Sequence, residues 1–153
     1  MRAFKLLVAC LTASSLLIVP GCKKNTGNTL TSLGLPMTGD QEVPARKTPA
    51  VGVANVSYNK QTKILNYDLT WAGLTGIPQG AHIHGPARPG TSAGIKHDFF
   101  DRFPRSTAGT FSNWVHLDDT EIIEDSLIAG LYYFNIHTPI YPGGEIRGQI
   151  VFK

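Results

Sequence analysis

Along Leu65, Tyr67, Leu69 and Trp71 every second residue is apolar, and Asn66, Asp68 and Thr70 between them are polar. A period of two sends successive side chains to opposite faces, so this segment predicts a half-buried antiparallel strand. Residues 51–58 form a second β-prone run, and Asn59-Lys60-Gln61-Thr62 suits a hairpin connection between the two. Further strands are expected at 80–84, 94–99, 110–117, 131–137 and 145–152, with Pro86, Pro89, Gly90 and Pro104 marking loops. One segment breaks this rhythm. Asp118 is placed to cap a short helix, Glu121 completes a capping-box pattern, Ile122, Ile123 and Leu127 form a stripe, and Gly130 ends it. About seven or eight strands with one short helix predict an all-β fold, an antiparallel Greek-key sandwich or barrel.

Composition agrees. Sixteen glycines and ten prolines fit many turns, and 16% charged residues is far too few for a coiled coil or a charge-rich disordered chain. The first 21 residues read differently from the rest. Arg2 and Lys5 begin a run that is apolar from Leu6 to Val19 apart from Thr12, Ser14 and Ser15, and Pro20-Gly21 closes it. It is short for a membrane span, for which about 20 apolar residues are needed, and fits a secretory leader. Val19-Pro20-Gly21-Cys22 resembles a bacterial lipobox, so Cys22 is expected to be acylated and to anchor the chain in membrane lipid. The organisation expected is a signal peptide over 1–21, a lipidated cysteine and flexible polar tether over 22–33, and one domain over 34–153. Loss of Arg2 and Lys5 lowers the net charge from +3 to +1, which gives no argument for nucleic acid. Cys10 leaves with the leader, so Cys22 has no intramolecular disulfide partner.

Three stretches carry a resemblance: Thr38-Gly39-Asp40-Gln41-Glu42-Val43-Pro44, then Gly80-Ala81-His82-Ile83-His84-Gly85-Pro86-Ala87, then Asn135-Ile136-His137-Thr138 with Tyr141-Pro142-Gly143-Gly144-Glu145-Ile146-Arg147-Gly148-Gln149. In this order they resemble the CHRD domain, first named from chordin and common in secreted bacterial proteins. The resemblance spans roughly Leu35 to Phe152 and implies a secreted binding or structural module. Gly73-Leu74-Thr75-Gly76, the strand with His82 and His84, and the run 131–137 are similar in order to Cu/Zn superoxide dismutase. That second resemblance implies His82, His84 and His137 as copper ligands and Arg147 as a guide for an anion. The bridging histidine, the zinc-loop ligands and the disulfide cysteines of that family have no counterpart.

Read by themselves, His82 and His84 are two apart and share one face of a strand, and His137 lies opposite Tyr132, Phe134 and Ile136 in its own. Three imidazoles on the polar sides of their strands could hold copper or zinc, with His97 or His116 completing the set. Alternatively they hydrogen-bond loop backbone around Gly85-Pro86. Glu145 and Arg147 share a face of the last strand, as an exposed ion pair or an anion site. Phe99, Phe100 and Phe103, interleaved with charges, form either a lid on the sandwich edge or a loop that captures a partner. Trp71 reads as core. No serine-hydrolase, nucleotide-binding or Cys/His zinc motif occurs, and no basic aromatic cluster outside that one loop indicates nucleic acid. The expectation is therefore a lipid-anchored protein of the bacterial cell envelope. Its domain would be a non-catalytic module for an envelope or extracellular protein, with no certain cofactor. A copper- or zinc-binding domain is the alternative.

Overall fold

The computed structural model describes residues 27–152; the leader and Cys22 lie outside the described residues. Eight strands, antiparallel at every pairing, form a single curled sheet. They are β1 (Thr29–Thr38), β2 (Val51–Asn59), β3 (Ile64–Ala72), β4 (Gly80–His84), β5 (Ile95–Asp98), β6 (Gly109–His116), β7 (Tyr132–His137) and β8 (Ile146–Ile150). The order across the sheet is β5-β4-β7-β8-β1-β2-β3-β6. One bridge, Thr38 to Arg147, joins the half β5-β4-β7-β8 to the half β1-β2-β3-β6. The chain passes between halves after β3, β5 and β6, and the fold is a nearly closed antiparallel barrel, or equally a sandwich. Among the described residues no helix is long and apolar enough to cross a membrane.

The period of two holds where it was strongest. Leu65, Tyr67, Leu69 and Trp71 all face inward and are buried, and the expected hairpin is closed by Asn59 Oδ1, which accepts from the backbone N–H groups of Gln61 and Thr62. Trp71 stacks on Phe103 at 4.3 Å and donates its indole N–H to the Ser106 carbonyl. Tyr67, Phe99, Phe111 and Phe134 continue this aromatic core towards β7.

Three expectations change. The tether was expected to run past Ser32, yet β1 begins at Thr29. A bulge between Ser32 and Leu35 with Gly34 at φ +71 shifts the inward phase from Leu30 and Ser32 to Leu35 and Met37, which hides the alternation. The helix α1 is only Glu124–Ile128, and Asp118 does not cap it. Asp118 Oδ1 instead accepts from the N–H groups of Thr120 and Glu121 in a local turn, while Asp119 Oδ1 meets the N–H of Glu124. Gly130, at φ +75, does end the helix. Finally, Phe99 and Phe103 are core residues, 4% and 2% exposed, so they cannot serve as a capture surface. They plug the seam between β5 and β6 as a lid, and Phe100 is half-buried beneath the Arg105 guanidinium.

Packing is tight where β8 lies on β1. A Cβ on Gly148 would stand 2.5 Å from Met37 Cγ and 3.0 Å from the Pro36 carbonyl oxygen. Gly148→Val should therefore lower the unfolding free energy by about 2 kcal/mol or more, as overpacking of a rigid interior does. Chemical denaturation of the full chain followed by circular dichroism checks this.

Candidate metal centre

Strands β4, β7 and β8 are buried on both faces. Ala81, Ile83, Phe134, Ile136, Ile146 and Ile150 fill the barrel, so the alternate positions point outward, where water is expected. Loops cover them instead. Beneath the segments 39–49, 85–94 and 138–145 lies a second, polar layer made by His82, His84, Tyr133, Asn135, Arg147 and Gln149.

The histidines expected to converge do so. The candidate ligand atoms of His82, His84 and His137 all lie within 4.8 Å of one another. Strand register explains it: β4 and β7 are neighbours, with Gly80 opposite His137 and His82 opposite Asn135. Gly80 makes room for them, because a Cβ there would stand 2.8 Å from the His82 ring and 3.1 Å from that of His137. His97 and His116 do not join. His97 is opposite Ile83 and turns into the core against Tyr67 and Phe99, while His116 is exposed at the end of β6.

Hydrogen bonds assign the ring nitrogens. His84 Nδ1 is 3.0 Å from the Ala93 carbonyl and His137 Nδ1 is 2.9 Å from that of Pro142. A carbonyl only accepts, so both Nδ1 atoms carry hydrogen and both Nε2 atoms present lone pairs in the neutral rings. His137 Nε2 then accepts from His82 Nδ1 at 3.0 Å. His84 Nε2 is buried with no partner. The Tyr133 ring lies flat on His84 at 5.1 Å, and the Arg147 guanidinium lies 3.5 Å over the Tyr133 ring.

Electrostatics keep these rings neutral. Burial, then the neighbouring His137, lowers the His82 pKa to about 4 against the opposing pull of Asp98. Burial likewise lowers His84 and His137. Neutral imidazoles already hold the lone pairs that a metal needs.

The donor set fits zinc or copper. Imidazole suits both ions, and at metal–nitrogen bonds of about 2.0–2.1 Å the nitrogens of a tetrahedral site stand about 3.3 Å apart. The His82–His137 spacing of 3.0 Å is close to that, while the widest spacing of 4.8 Å must shorten. Asp98 Oδ1 stands 3.7 Å from His82 Nε2, beyond hydrogen-bond reach, while His84 and His137 each have an oxygen behind the ring, the carbonyls of Ala93 and Pro142. Such partners fix ligand orientation in metal sites. Asp98 and Gly80 carried no sequence signal for this role, since only register places Asp98 opposite His82.

Glu145 and Arg147 are not an exposed pair. They are 0% and 1% exposed, and no ion pair forms between them. Glu145 accepts hydrogen bonds from Thr48 Oγ1, Thr138 Oγ1, and both the N–H and Oγ1 of Thr75. Arg147 donates to the carbonyls of Thr91 and Arg88 and to Gln149 Oε1. The guide role for Arg147 loses support, because these bonds occupy both of its terminal nitrogens. Glu42, whose place beside Pro44 suits a turn-anchoring role, is a third buried acid or base and accepts from Asn135 Nδ2 at 2.8 Å. Burial raises the Glu42 pKa to about 7, against the lowering effect of Arg147 and Arg46.

A sequence model for the CHRD domain matches residues 33–150. No curated protein and no solved structure matches the chain.

A carboxyl whose folded pKa is raised binds its proton more tightly folded than unfolded. Glu42 therefore costs stability as pH rises from 4.5 towards 7, and that cost is complete above 7. Glu42→Gln, which keeps an acceptor for Asn135, should stabilise the domain at pH 8 by on the order of 2 kcal/mol. It should do little at pH 4. Thermal unfolding of both proteins across pH gives the test.

Proposed function

The chain belongs to the CHRD domain family, and from that premise we propose that it is a binding module whose ligand is a transition-metal ion, zinc or copper, held by His82, His84 and His137. The observation that carries this reading is His84 Nε2. It is buried and unpartnered in a ring 5.4 Å from that of His82 and 5.8 Å from that of His137, whereas leaving such a group unsatisfied costs about 1–3 kcal/mol. Histidines serving only to fix loops would account for the bonds to Ala93 and Pro142 but not for that nitrogen.

His84 and His137 would present Nε2 to the ion, with their hydrogens already held by carbonyls. His82 would give up its bond to His137 and present Nδ1, and its hydrogen would move to Nε2, towards Asp98. A bound ion of this kind supplies a Lewis-acidic centre, and copper adds one-electron chemistry. The role assigned here is binding or storage of the ion.

We place this module in the bacterial cell envelope. Support comes from the leader and from Val19-Pro20-Gly21-Cys22, whose acylated cysteine would tie the domain to membrane lipid. Metabolic labelling with a fatty acid should mark the wild-type chain and not Cys22→Ser.

Titration of the full chain with Zn²⁺ and Cu²⁺ should reach one equivalent. His82→Ala/His84→Ala should abolish it while the domain stays folded. Asp98→Asn should weaken binding by about tenfold or more, as loss of such a supporting partner does. Absence of binding by folded wild type would end the metal reading.

A further inference from the structure

The opposite half of the fold carries an unusual surface. The outward side chains of β2, β3 and β6 are mostly Asn, Ser, Thr and Val; Asp68 is their only carboxylate, and none is Lys or Arg. Exposed faces of soluble domains are ordinarily rich in both charge signs, at roughly a quarter to a third of positions. Cross-strand register lines up the polar groups: Trp114 stands beside Asn66, Asn66 beside Ser57, and Ser57 beside Thr31 of β1. A second row runs from Ser112 through Asp68 to Asn55.

Trp114 is 57% exposed, and among the described residues no other aromatic ring packs against it. Its indole also lines a cleft of about 360 Å³ at the β6 edge, where the sheet does not close on β5. The cleft is also lined by Phe99 and by four residues with planar polar groups, Asp98, Asp101, Arg102 and Asn113. His97 also lines it, and His97 Nε2 is buried without a partner.

We propose that this face and its adjoining cleft bind a neutral saccharide chain, with the Trp114 indole as stacking platform. A sugar ring has an apolar face and a rim of hydroxyls, so it needs a flat apolar surface flanked by planar donors and acceptors. Both are present, and the volume is that of a small-molecule site. The alternatives fit less well. Nucleic acid requires cations along its path; the face has none, and the single Arg102 of the cleft stands beside the carboxylates of Asp98 and Asp101. Protein interfaces favour several aromatics, Met and Arg and are depleted in Ser. The rows of hydroxyl and amide groups leading from Trp114 offer hydrogen bonds to successive sugar units. Trp114 and the polar rows lie on the half of the sheet opposite the histidine cluster, and Asp98, 3.7 Å from His82 Nε2, is the residue that borders both.

The test is titration of the full chain with maltohexaose, cellohexaose, mannohexaose and chitohexaose, read by calorimetry and tryptophan emission. Trp71 is buried, so an emission change reports Trp114. At least one sugar should bind saturably, about tenfold more weakly to Trp114→Ala. Asn66→Lys, which keeps both indoles, should also weaken it. The variant His82→Ala/His84→Ala should bind as wild type. The proposal is overturned if no hexasaccharide binds, if Trp114→Ala binds unchanged, or if only acidic polygalacturonate binds. It is equally overturned if Trp114 emission shifts with protein concentration alone, which would make the face a contact between copies.

Discussion

A fully buried carboxylate at Glu145 holds this domain in its shape. Burying a charge is costly unless hydrogen bonds replace its water. Here the donors come from Thr48, Thr75 and Thr138, on three different loops. One side chain thus joins the segment after β1, the β3–β4 connection and the β7–β8 turn. Arg147, two residues on, does the same for the loop 85–94 through the carbonyls of Thr91 and Arg88. These loops cover the outer face of β4, β7 and β8 and turn it into a second interior.

The histidine cluster is a consequence of that covered layer. Without the loops, His82, His84 and His137 would be solvated side chains on an open sheet. With them, the Ala93 and Pro142 carbonyls orient two of the rings, the Tyr133–Arg147 stack backs the His84 ring, and burial keeps all three uncharged. The motif stretches 38–44, 80–87 and 135–149 meet in this layer, as Glu42 with Asn135 and His82 with His137 illustrate. Among the described residues the other half of the sheet has no such cover, and its outward rows are open.

Most strands were legible because alternation is a local signal. Trp71 could be assigned to the core from its phase alone, and the hairpin from Asn59. Where phase is interrupted the signal fails: Gly34 and the bulge in β1 made a paired strand look like a tether. Asp118 looked like a cap because its spacing to Glu121 is right, but the same carboxylate serves a local turn equally well. Phe99 and Phe103 sit among charges in the sequence, and only the open seam between β5 and β6 gives them an apolar space to fill.

By itself the sequence determined an all-β antiparallel chain, the strands carrying the histidines, and the face of its own strand that each histidine shares. Such facts follow from the two-residue period, which requires no knowledge of neighbours. Only the tertiary structure decided that the polar side of one half-sheet would be an interior and that of the other a surface. Alternation reports that a side chain leaves the barrel core, yet whether it then meets water or a loop depends on contacts far away in the chain. Glu145 and Thr48 are 97 residues apart, and no local pattern encodes their meeting.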